Sequence, residues 1–296
     1  MSSDAPVVLT CAISGVIAGR DQCPAIPYTP GEYAAEARRI VDEGGVHIHI
    51  HARKPDGTAS HEVEDFVAIR DAIRAEVGTD AIINFSTGTV GVPVAKRIAY
   101  LEAGLPEVAA LNMGSMNYAK YSPKRKEFVF EFVFANSFGE IIELLEQMRG
   151  LGIKPEHECF DLGHVGALHP LLDMGLLERP LHANFVMGVV GGVPATARNL
   201  AAMADNMPAG DNHWTVIGIG RAQWMLVAAA LALGGSVRVG LEDNFYLPDG
   251  QMARSNGDLI AQARQMVDDA GRRVATVSEA RELMGLDRLV REPVRS

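Results

Sequence analysis

The sequence has few cysteines and no sign of a disulfide framework. Cys11, Cys23 and Cys159 are scattered through 296 residues, are odd in number and form no CxxC pair. This usage is typical of a protein of the reducing cytoplasm, and we predict a cytoplasmic location. The chain also begins without the basic residues and apolar run of a signal peptide, so we expect no secretory signal.

The sequence also lacks a long apolar run and an excess of basic residues. The apolar stretch at residues 225–233 is far shorter than the roughly 20 residues that span a bilayer, and a buried helix explains it better. The net charge is −10, and no cluster of Lys and Arg marks a nucleic-acid surface. We therefore expect neither a membrane nor a nucleic acid as partner, and we look for small-molecule substrates.

Short apolar runs alternate with amphipathic segments along the whole chain. The predicted strands are residues 7–13, 46–53, 81–85, 108–111, 157–160, 182–186, 214–219 and 236–241. Each is followed by a predicted helix, and Pro170 is expected to bend or split the helix at 165–177. The β-prone segment 127–133 is interpreted as an excursion after the fourth strand, and helices at 258–270 and 278–284 close the chain.

Eight strand–helix units without a break in composition predict the fold. Strict alternation favours parallel strands, and eight of them at this length favour a closed (β/α)₈ TIM barrel of α/β class. We expect one domain over residues 1–296, with a C-terminal helical extension. The alternative is an open doubly wound sheet, which is disfavoured because no GxGxxG turn follows the first strand.

The second predicted strand carries three histidines in alternation with apolar residues. His47, His49 and His51 share one face of the strand because side chains alternate with a period of two. Imidazole is a common ligand of zinc, and two imidazoles at i and i+2 can hold one ion. The alternative is a set of buried histidines that are hydrogen-bonded in a polar core, and His47, which lies deepest, fits that alternative best.

Polar residues gather where the predicted strands end. In (β/α)₈ barrels the active site lies at these carboxyl ends. We take Ser86, Thr87, Asn112 and Ser115 as candidate substrate-binding residues. Further polar residues at strand ends are Arg53, Asp161, His164, Arg221, Arg238, Glu242 and Asp243. Helix capping is the simpler explanation of any one Ser, Thr, Asn or Asp in such a position.

Glu242 is the carboxylate that barrel closure could bring to the histidines. It shares strand parity with Arg238, and the eighth and second strands both neighbour the first strand in a closed barrel. His49, His51 and Glu242 would then form a site with two histidines, one carboxylate and open positions, as in catalytic zinc sites. Iron, manganese and cobalt remain alternatives, and Glu242 as a capping or surface carboxylate is another.

A divalent ion with open positions suits a β-keto acid as substrate. It can take two oxygens of the substrate and stabilise a developing enolate. Asp243 is available as a nearby base, and Arg238 is available to support it.

Three motifs stand out along the chain: Gly44-Gly45 before His49-x-His51-x-Arg53 and Pro55-Asp56-Gly57, then Phe160-Asp161-Leu162-Gly163-His164, then Arg238-Val239-Gly240-Leu241-Glu242-Asp243-Asn244 with Ser255-Asn256. Together they resemble the motifs of the β-keto acid cleavage enzymes, a family that includes the 3-keto-5-aminohexanoate cleavage enzymes. The likeness extends over residues 7–286, and the third motif is the most specific.

The resemblance implies a zinc-bearing (β/α)₈ barrel that acts as an acyltransferase on a β-keto acid and acetyl-CoA. His49, His51 and Glu242 would hold Zn²⁺, Asp243 would deprotonate the β-keto acid with Arg238 in support, and Ser86 would contact the substrate. The carbanion would attack acetyl-CoA, CoA would migrate within the adduct, and a retro-Claisen step would release acetoacetate and a new acyl-CoA. CoA enters as a substrate, so no cofactor carries the acyl group.

Two positions depart from the pattern of the aminohexanoate enzymes. The loop after the first strand reads Ser14-Gly15-Val16-Ile17, where an acidic residue is expected to meet a substrate ammonium. Met113 stands where a hydroxyl-bearing residue is expected after the fourth strand. We therefore predict a different β-keto acid, without a free amine and less polar.

Two other functions remain open at this stage. One is a metal-dependent barrel hydrolase that recruits His164 or His182, although His182 opens its strand rather than ending it. The other is a metal-storing or scaffold protein without turnover. The family implies a homo-oligomer, a dimer or tetramer, and the apolar face of residues 225–233 could serve an interface or the packing of the barrel.

Overall fold

Eight parallel strands form a closed barrel, so the predicted TIM barrel is confirmed. The computed structural model describes residues 5–288. The strands are β1 Leu9–Ala12, β2 His47–Ile50, β3 Ile82–Ser86, β4 Val108–Asn112, β5 Met116–Ser122, β6 Glu127–Phe134, β7 Lys154–Cys159, β8 Leu181–Met187, β9 Asn212–Gly218 and β10 Ser236–Val239. Around the barrel the order is β1-β10-β9-β8-β7-β4-β3-β2, while β5 and β6 form a separate pair.

Helices connect the strands on the outside of the barrel. They are α1 Pro30–Asp42, α2 Val63–Val77, α3 Val94–Gly104, α4 Phe138–Gly150, α5 Leu162–Gly166, α6 Leu168–Asp173, α7 Ala197–Asp205, α8 Gln223–Ala232, α9 Asn256–Asp269 and α10 Val277–Met284. Capping boxes start α1 at Thr29, as predicted from Glu32, and α4 at Ser137. The predicted helix at 165–177 is split into α5 and α6, and α6 contains Pro170.

Strand β1 closes the ring. It pairs in parallel with β2 on one side and with β10 on the other, so the first and last strands of the barrel are neighbours. The opposite end of the barrel is covered by α10, because Ala280 and Met284 pack against Val8, Val46 and Val108 near the starts of the strands. The carboxyl ends of the strands therefore form the mouth of the barrel, the end at which we place the site.

The excursion after β4 is an antiparallel hairpin. Its second strand, β6, confirms the predicted β-prone segment 127–133, while its first strand, β5, was not predicted. The hairpin loop contains three consecutive basic residues, Lys124, Arg125 and Lys126, which were too few to indicate a nucleic-acid surface. Strand β7 also begins earlier than predicted, so that it includes Glu156.

The single barrel accounts for the described residues, and no helix among them is long and apolar enough to cross a membrane. The predicted domain, residues 1–296, extends beyond the described residues at both ends and stays a prediction there. Within the described range, α9 and α10 provide the predicted helices at the end of the chain. The apolar stretch 225–233 forms most of α8, whose Leu226 and Val227 are fully buried, whereas Met225 and Leu233 are exposed.

Candidate active site at the barrel mouth

The structure brings His49, His51 and Glu242 together at the barrel mouth. Oε1 of Glu242 lies 3.6 Å from Nε2 of His51 and 3.8 Å from Nε2 of His49. His49 is buried, while the side chains of His51 and Glu242 are 15% and 18% exposed. One face of this group is therefore open to an incoming molecule, as a catalytic metal site requires.

A tight turn after β10 places Glu242 beside β1. Gly240 adopts a φ of +146°, and a Cβ atom built there would lie 2.1 Å from the carbonyl oxygen of Ala12. Only glycine can approach the neighbouring strand this closely. The turn then directs the backbone N–H of Glu242 to the same carbonyl oxygen at 3.2 Å. Gly15, on the opposite loop, leaves room for the side chain of Glu242, since a Cβ there would lie 2.7 Å from Glu242 Cγ.

The donor set at the mouth fits a divalent ion. Nitrogen–oxygen separations of 3.6 and 3.8 Å are too long for hydrogen bonds, but they are near the spacing of two ligands on one zinc ion. Within residues 5–288, Oε2 of Glu242 is buried and has no hydrogen-bond partner. The three side chains are among the groups whose ligand atoms lie close enough to hold one ion.

The protonation states at the mouth also suit metal binding. Burial lowers the pKa of His49 well below its usual value, and Arg238 lowers it further, so its imidazole stays neutral. Burial alone would raise the pKa of Glu242, but Arg238 and the two histidines outweigh it and hold the pKa well below its usual range. Neutral imidazole and ionised carboxylate are the forms that bind a cation.

Arg238 connects three carboxylates beneath the mouth. Its Nε and Nη2 donate to both oxygens of Asp243 at 2.9 and 3.0 Å, and Nη2 also donates to Glu242 Oε1 at 2.8 Å. Nη1 reaches Oε1 of Glu158 at 3.3 Å from the opposite side of the barrel. One buried guanidinium thus fixes the positions of all three carboxylates through charge-assisted hydrogen bonds.

Two of these carboxyl groups have raised pKa values. Burial raises the pKa of Asp243 to about 6, although Arg238 opposes the shift. Burial also raises the pKa of Glu158 to about 8, again against Arg238 and with a contribution from Glu156. Groups that titrate near neutral pH can exchange protons with a substrate, which is a property of general acids and bases.

Glu156 and Glu158 are the residues that sequence reasoning missed. They occupy alternate positions of β7, the strand whose start was placed too late. A signal was present, because acidic residues at alternate positions are unusual in a strand of a parallel sheet, which is normally apolar throughout. The predicted strand began only at residue 157, and the stretch before it, Lys154-Pro155-Glu156, is rich in Pro and charged residues, which are depleted in strands.

A polar layer lies inside the barrel below the mouth. Its members are His47, Asn84, Glu156, His182, Asn184, His213 and Thr215, all of them fully buried. Oε2 of Glu156 lies 3.4 Å from Nε2 of His182, and Nδ1 of His47 shares a 3.1 Å hydrogen bond with Thr10. Burial lowers the pKa of His47 to about 3 and that of His213 to about 4. The expectation that His47 lies deeper than His49 and His51 is therefore confirmed.

The four candidate substrate-binding residues lie at the ends of β3 and β4. Ser86 and Asn112 are buried, and Nδ2 of Asn112 is without a hydrogen-bond partner in the described part of the chain. Thr87 already donates its hydroxyl to the carbonyl oxygen of Ala110. Oγ of Ser115, which is exposed, accepts from the backbone N–H of Asn136 at 2.8 Å. Oγ of Ser86 accepts from the backbone N–H of Gly88 at 3.2 Å, so Asn112 is the one of the four with a buried polar atom still free for a substrate in the described residues.

Other polar residues at strand ends have structural contacts. The guanidinium of Arg53 donates to the carbonyl oxygens of Ser14, Gly15, Ala18 and Gly57, and so holds the loop after β1. Asp161 caps α5 by accepting from the N–H of Gly163. His164 accepts from the N–H of Phe160, and Arg221 lies 4.7 Å from the ring centre of Tyr246.

The comparison with known families favours the acyltransferase over the hydrolase and the scaffold protein that the sequence left open. A family profile described as "beta-keto acid cleavage enzyme" matches residues 6–286. The chain belongs to the β-keto acid cleavage enzyme family. It is accordingly an enzyme of the acyltransferase type, and the resemblance inferred from the sequence motifs is confirmed.

Relatives in the β-keto acid cleavage enzyme family align over almost the whole chain. A 3-keto-5-aminohexanoate cleavage enzyme of Acetoanaerobium sticklandii is 37% identical over 95% of this chain and 99% of its own. A 3,5-dioxohexanoate:acetyl-CoA acetone transferase of Paraburkholderia graminis is 34% identical over 97% of both chains. Among solved structures, apo ObcA shares the fold with a TM-score of 0.74 at 20% identity, over 88% of this chain and 66% of that chain.

Proposed function

We propose that this enzyme uses Zn²⁺ held by His49, His51 and Glu242 to convert a β-keto acid and acetyl-CoA into acetoacetate and a new acyl-CoA. The observation that carries the proposal is the open triad at the barrel mouth, next to a base that is fixed by Arg238. Several relatives are acetyl-CoA-dependent transferases by name, which supports acetyl-CoA as the second substrate. When bound, the ion would polarise the oxygens of the β-keto acid and stabilise negative charge on them.

Asp243 is the proposed base. With a pKa raised to about 6, its carboxylate is largely ionised at neutral pH and can accept a proton from the carbon between the two carbonyl groups of the substrate. Arg238 holds both oxygens of Asp243, so the base keeps one orientation. Glu158, on the far side of Arg238, helps to fix that guanidinium in place.

Two other groups could also hold an ion, but they are closed to substrate. One consists of His47, Glu156 and His182, and the other of His49, Glu156 and Glu158. Every member of both groups is buried. An ion there would have no open position for a keto acid, whereas catalytic sites keep such a position. We therefore place the catalytic ion at the mouth.

The structure around the first loop supports a substrate without an ammonium group. Ser14 is buried, and its Oγ shares a 2.7 Å hydrogen bond with the hydroxyl of Tyr33. Met113 is buried as well. The carboxylates near the mouth are already engaged with Arg238. We propose a less polar β-keto acid, and a higher kcat/KM for 3-keto-5-aminohexanoate than for uncharged analogues would contradict this.

Elemental analysis of the purified protein tests the metal site. We expect about one zinc ion per chain in the wild type and none in a His49→Ala/His51→Ala double variant. His169→Ala is the matched control, because His169 lies on the exposed side of α6 and should not affect the metal content. An unchanged metal content in the double variant would show that the ion binds elsewhere.

A product assay distinguishes the proposed reaction from its alternatives. We expect acetoacetate to form only when a β-keto acid and acetyl-CoA are both present. Hydrolysis of an ester or amide without CoA would instead favour the metal-dependent hydrolase. His164 and His182, which a hydrolase would recruit, do not join the mouth triad: His182 lies in the deep polar layer and His164 packs beside Phe160.

Compartment and assembly remain predictions of this proposal. Cys11, Cys23 and Cys159 are buried free thiols, which supports the cytoplasmic location predicted from the sequence. A homo-oligomer, dimer or tetramer, is proposed on the family resemblance alone.

A further inference from the structure

The β5–β6 hairpin is fixed at its base to the rim of the barrel mouth. Phe134 and Phe160 form an apolar cluster with Val186 and Ile217, and Tyr118 packs against it. The N–H of Ala119 donates to the carbonyl oxygen of Val190 at 3.2 Å. The base of the hairpin is therefore part of the rim, while its far end projects beyond it.

One face of the hairpin carries a row of aromatic rings that begins beside the active site. The rings of Tyr118 and Phe132 are stacked with centres 5.1 Å apart, and Phe130 follows at 6.0 Å from Phe132. Tyr118 also packs edge-on against Phe160 at 6.4 Å between ring centres, and Phe160 follows directly after β7, the strand that carries Glu158, so the row begins at the rim of the mouth. All three rings are only partly buried and can accept a ligand.

The far end of the hairpin is basic. Lys124, Arg125 and Lys126 follow one another in the loop, and all three are exposed. Lys120 is paired with Phe130 across the strands, so its side chain shares the aromatic face. Arg125 contacts Glu127 at 3.2 Å. In a chain with a net charge of −10, this concentration of positive charge is a local exception.

The sequence of surfaces along the hairpin matches the order of parts in acyl-CoA. With the thioester at the mouth, the next part of acyl-CoA is the pantetheine arm, which is long and partly apolar and can lie along the aromatic rings. The pyrophosphate follows the arm, and the ribose with its 3′-phosphate and the adenine come last, so the phosphate groups can reach the basic loop. A strand rises about 3.3 Å per residue, so the seven residues of β5 span roughly 20 Å from rim to loop. Lysine and arginine are the side chains that bind phosphate groups.

We propose that the β5–β6 hairpin is the binding site for the nucleotide end of acetyl-CoA. Phe130 and Phe132 contact the pantetheine arm, and Lys120, Lys124, Arg125 and Lys126 receive the pyrophosphate and the 3′-phosphate. The identity of the ligand rests on the proposed function, because acetyl-CoA is the substrate that this function requires.

Steady-state kinetics with two acetyl donors test the assignment. The variant is Lys124→Gln/Arg125→Gln/Lys126→Gln, and the donors are acetyl-CoA and S-acetyl-N-acetylcysteamine, which lacks the nucleotide. Loss of three exposed ion pairs should raise the KM for acetyl-CoA about tenfold. The KM for the β-keto acid and the kinetics with the short donor should stay unchanged. Higher ionic strength should raise the KM for acetyl-CoA in the wild type more than in the variant.

The matched control removes the same charge from the outside of the barrel. Arg38→Gln/Arg264→Gln/Arg273→Gln changes one partly buried and two exposed arginines, which pair with Asp42, Glu43 and Glu279. We expect this control to keep the KM for acetyl-CoA. An equal rise in both triple variants would mean that net charge alone is responsible, and equal losses with both donors would mean that the hairpin has a structural or interface role. Either result overturns the proposal.

Direct binding separates a failure of this site from a failure of the proposed reaction. Calorimetry with 3′-phosphoadenosine 5′-diphosphate needs no turnover, and we expect the wild type and the control to bind it while the loop variant binds about tenfold more weakly. Absence of binding to the wild type, or equal binding to all three proteins, contradicts the site. A change of oligomeric state in the loop variant would show that a second copy occupies this surface, which also contradicts it.

Discussion

Arg238 connects the proposed metal ligands of the barrel mouth with the proposed catalytic base, because it contacts both Glu242 and Asp243. Its burial would be costly without partners, but Asp243, Glu242 and Glu158 all contact it. The same contacts fix the direction of the proposed base and keep Glu242 ionised for metal binding. Charge balance at this one guanidinium would therefore connect binding of the proposed ion to the proposed proton transfer.

Replacement of Asp243 by asparagine tests the proposed base. Asp243→Asn keeps the size of the side chain and a hydrogen bond to Arg238 but removes the proton acceptor. We expect turnover to fall by about 10²–10⁴, the usual contribution of a positioned base, with metal content unchanged. Asp249→Asn is the control, since Asp249 is an exposed turn residue that accepts from the N–H of Gln251. Undiminished turnover in Asp243→Asn would exclude this residue as the base.

At the residue scale, the candidate metal ligands were predicted from two features of the sequence: which face of a strand a side chain occupies, and whether it lies at the end of that strand. His49, His51 and Glu242 share a simple pattern, and their approach follows from barrel closure. Glu158 could not be found in this way, because its role depends on contact with Arg238 across the barrel. Strands β7 and β10 are not neighbours in the barrel and no strand of the barrel pairs with both, so strand order alone does not predict this contact.

At the scale of elements, the turn after β10 determines where the carboxylates lie. Gly240 gives this turn a φ that other residues rarely adopt, and its Cα lies almost against Ala12 of β1. The turn also donates from the N–H groups of Asp243 and Asn244 to the carbonyl oxygen of Gly240, each at 3.0 Å. The geometry of the proposed site thus depends on backbone as much as on side chains.

Alanine at position 240 should disrupt the site from within the turn. The added Cβ would collide with the backbone of Ala12, so the turn must shift and move Glu242 and Asp243 with it. We expect Gly240→Ala to destabilise the fold by more than about 2 kcal/mol and to lower the zinc content.

Gly139 offers the matched control for this substitution. A Cβ there would meet only Ser137 Oγ at 3.9 Å, so Gly139→Ala in α4 should be neutral or slightly stabilising. Thermal unfolding and elemental analysis measure both variants. Full zinc content and native stability in Gly240→Ala would show that the turn tolerates a side chain.

Elements with a strong local sequence pattern were predicted well, whereas elements with a weak pattern were missed. The two strands of the hairpin show both cases. The alternating Phe residues of β6 mark it as a strand. Strand β5 mixes Asn, Ala, Lys and Ser with two tyrosines and has a register shift between Lys120 and Tyr121, so its pattern is weak. Its strand conformation comes from pairing with β6 rather than from its own sequence.

At the scale of the whole molecule, the barrel interior is unusual because its middle layer is polar. His47, His182 and His213 are fully buried. The ring centre of His182 lies 5.8 Å from that of His47 and 5.3 Å from that of His213. Burial holds these imidazoles neutral in the folded protein. The apolar layer under α10 was predictable from hydrophobic runs, whereas this polar layer was visible only as scattered histidines.

The buried histidines should make the protein sensitive to acid. A histidine with a lower pKa in the folded state than in the unfolded chain binds fewer protons when folded, so stability falls as the pH drops below the unfolded value. For His213 the window extends from about 6.5 down to about 4, and the loss amounts to roughly 3 kcal/mol. We expect His213→Gln to lose less stability across this window than the wild type.

Denaturant unfolding at pH 7 and pH 4 measures this difference. His169→Gln is the control, because His169 is exposed on the outside of the barrel and should leave the acid sensitivity of the wild type intact. If His213→Gln shows the same loss of stability as the wild type, the acid sensitivity arises from other groups.

The pairing of β1 with both β2 and β10 has a consequence for biosynthesis. Almost two hundred residues separate His49 from Glu242, and the two meet only once the last strand has docked against the first. A nascent chain whose residue 242 is still inside the ribosome can present the imidazoles but not the carboxylate. Tight loading of the proposed ion would therefore follow ring closure, and occupancy would report that the last barrel strand has paired with the first.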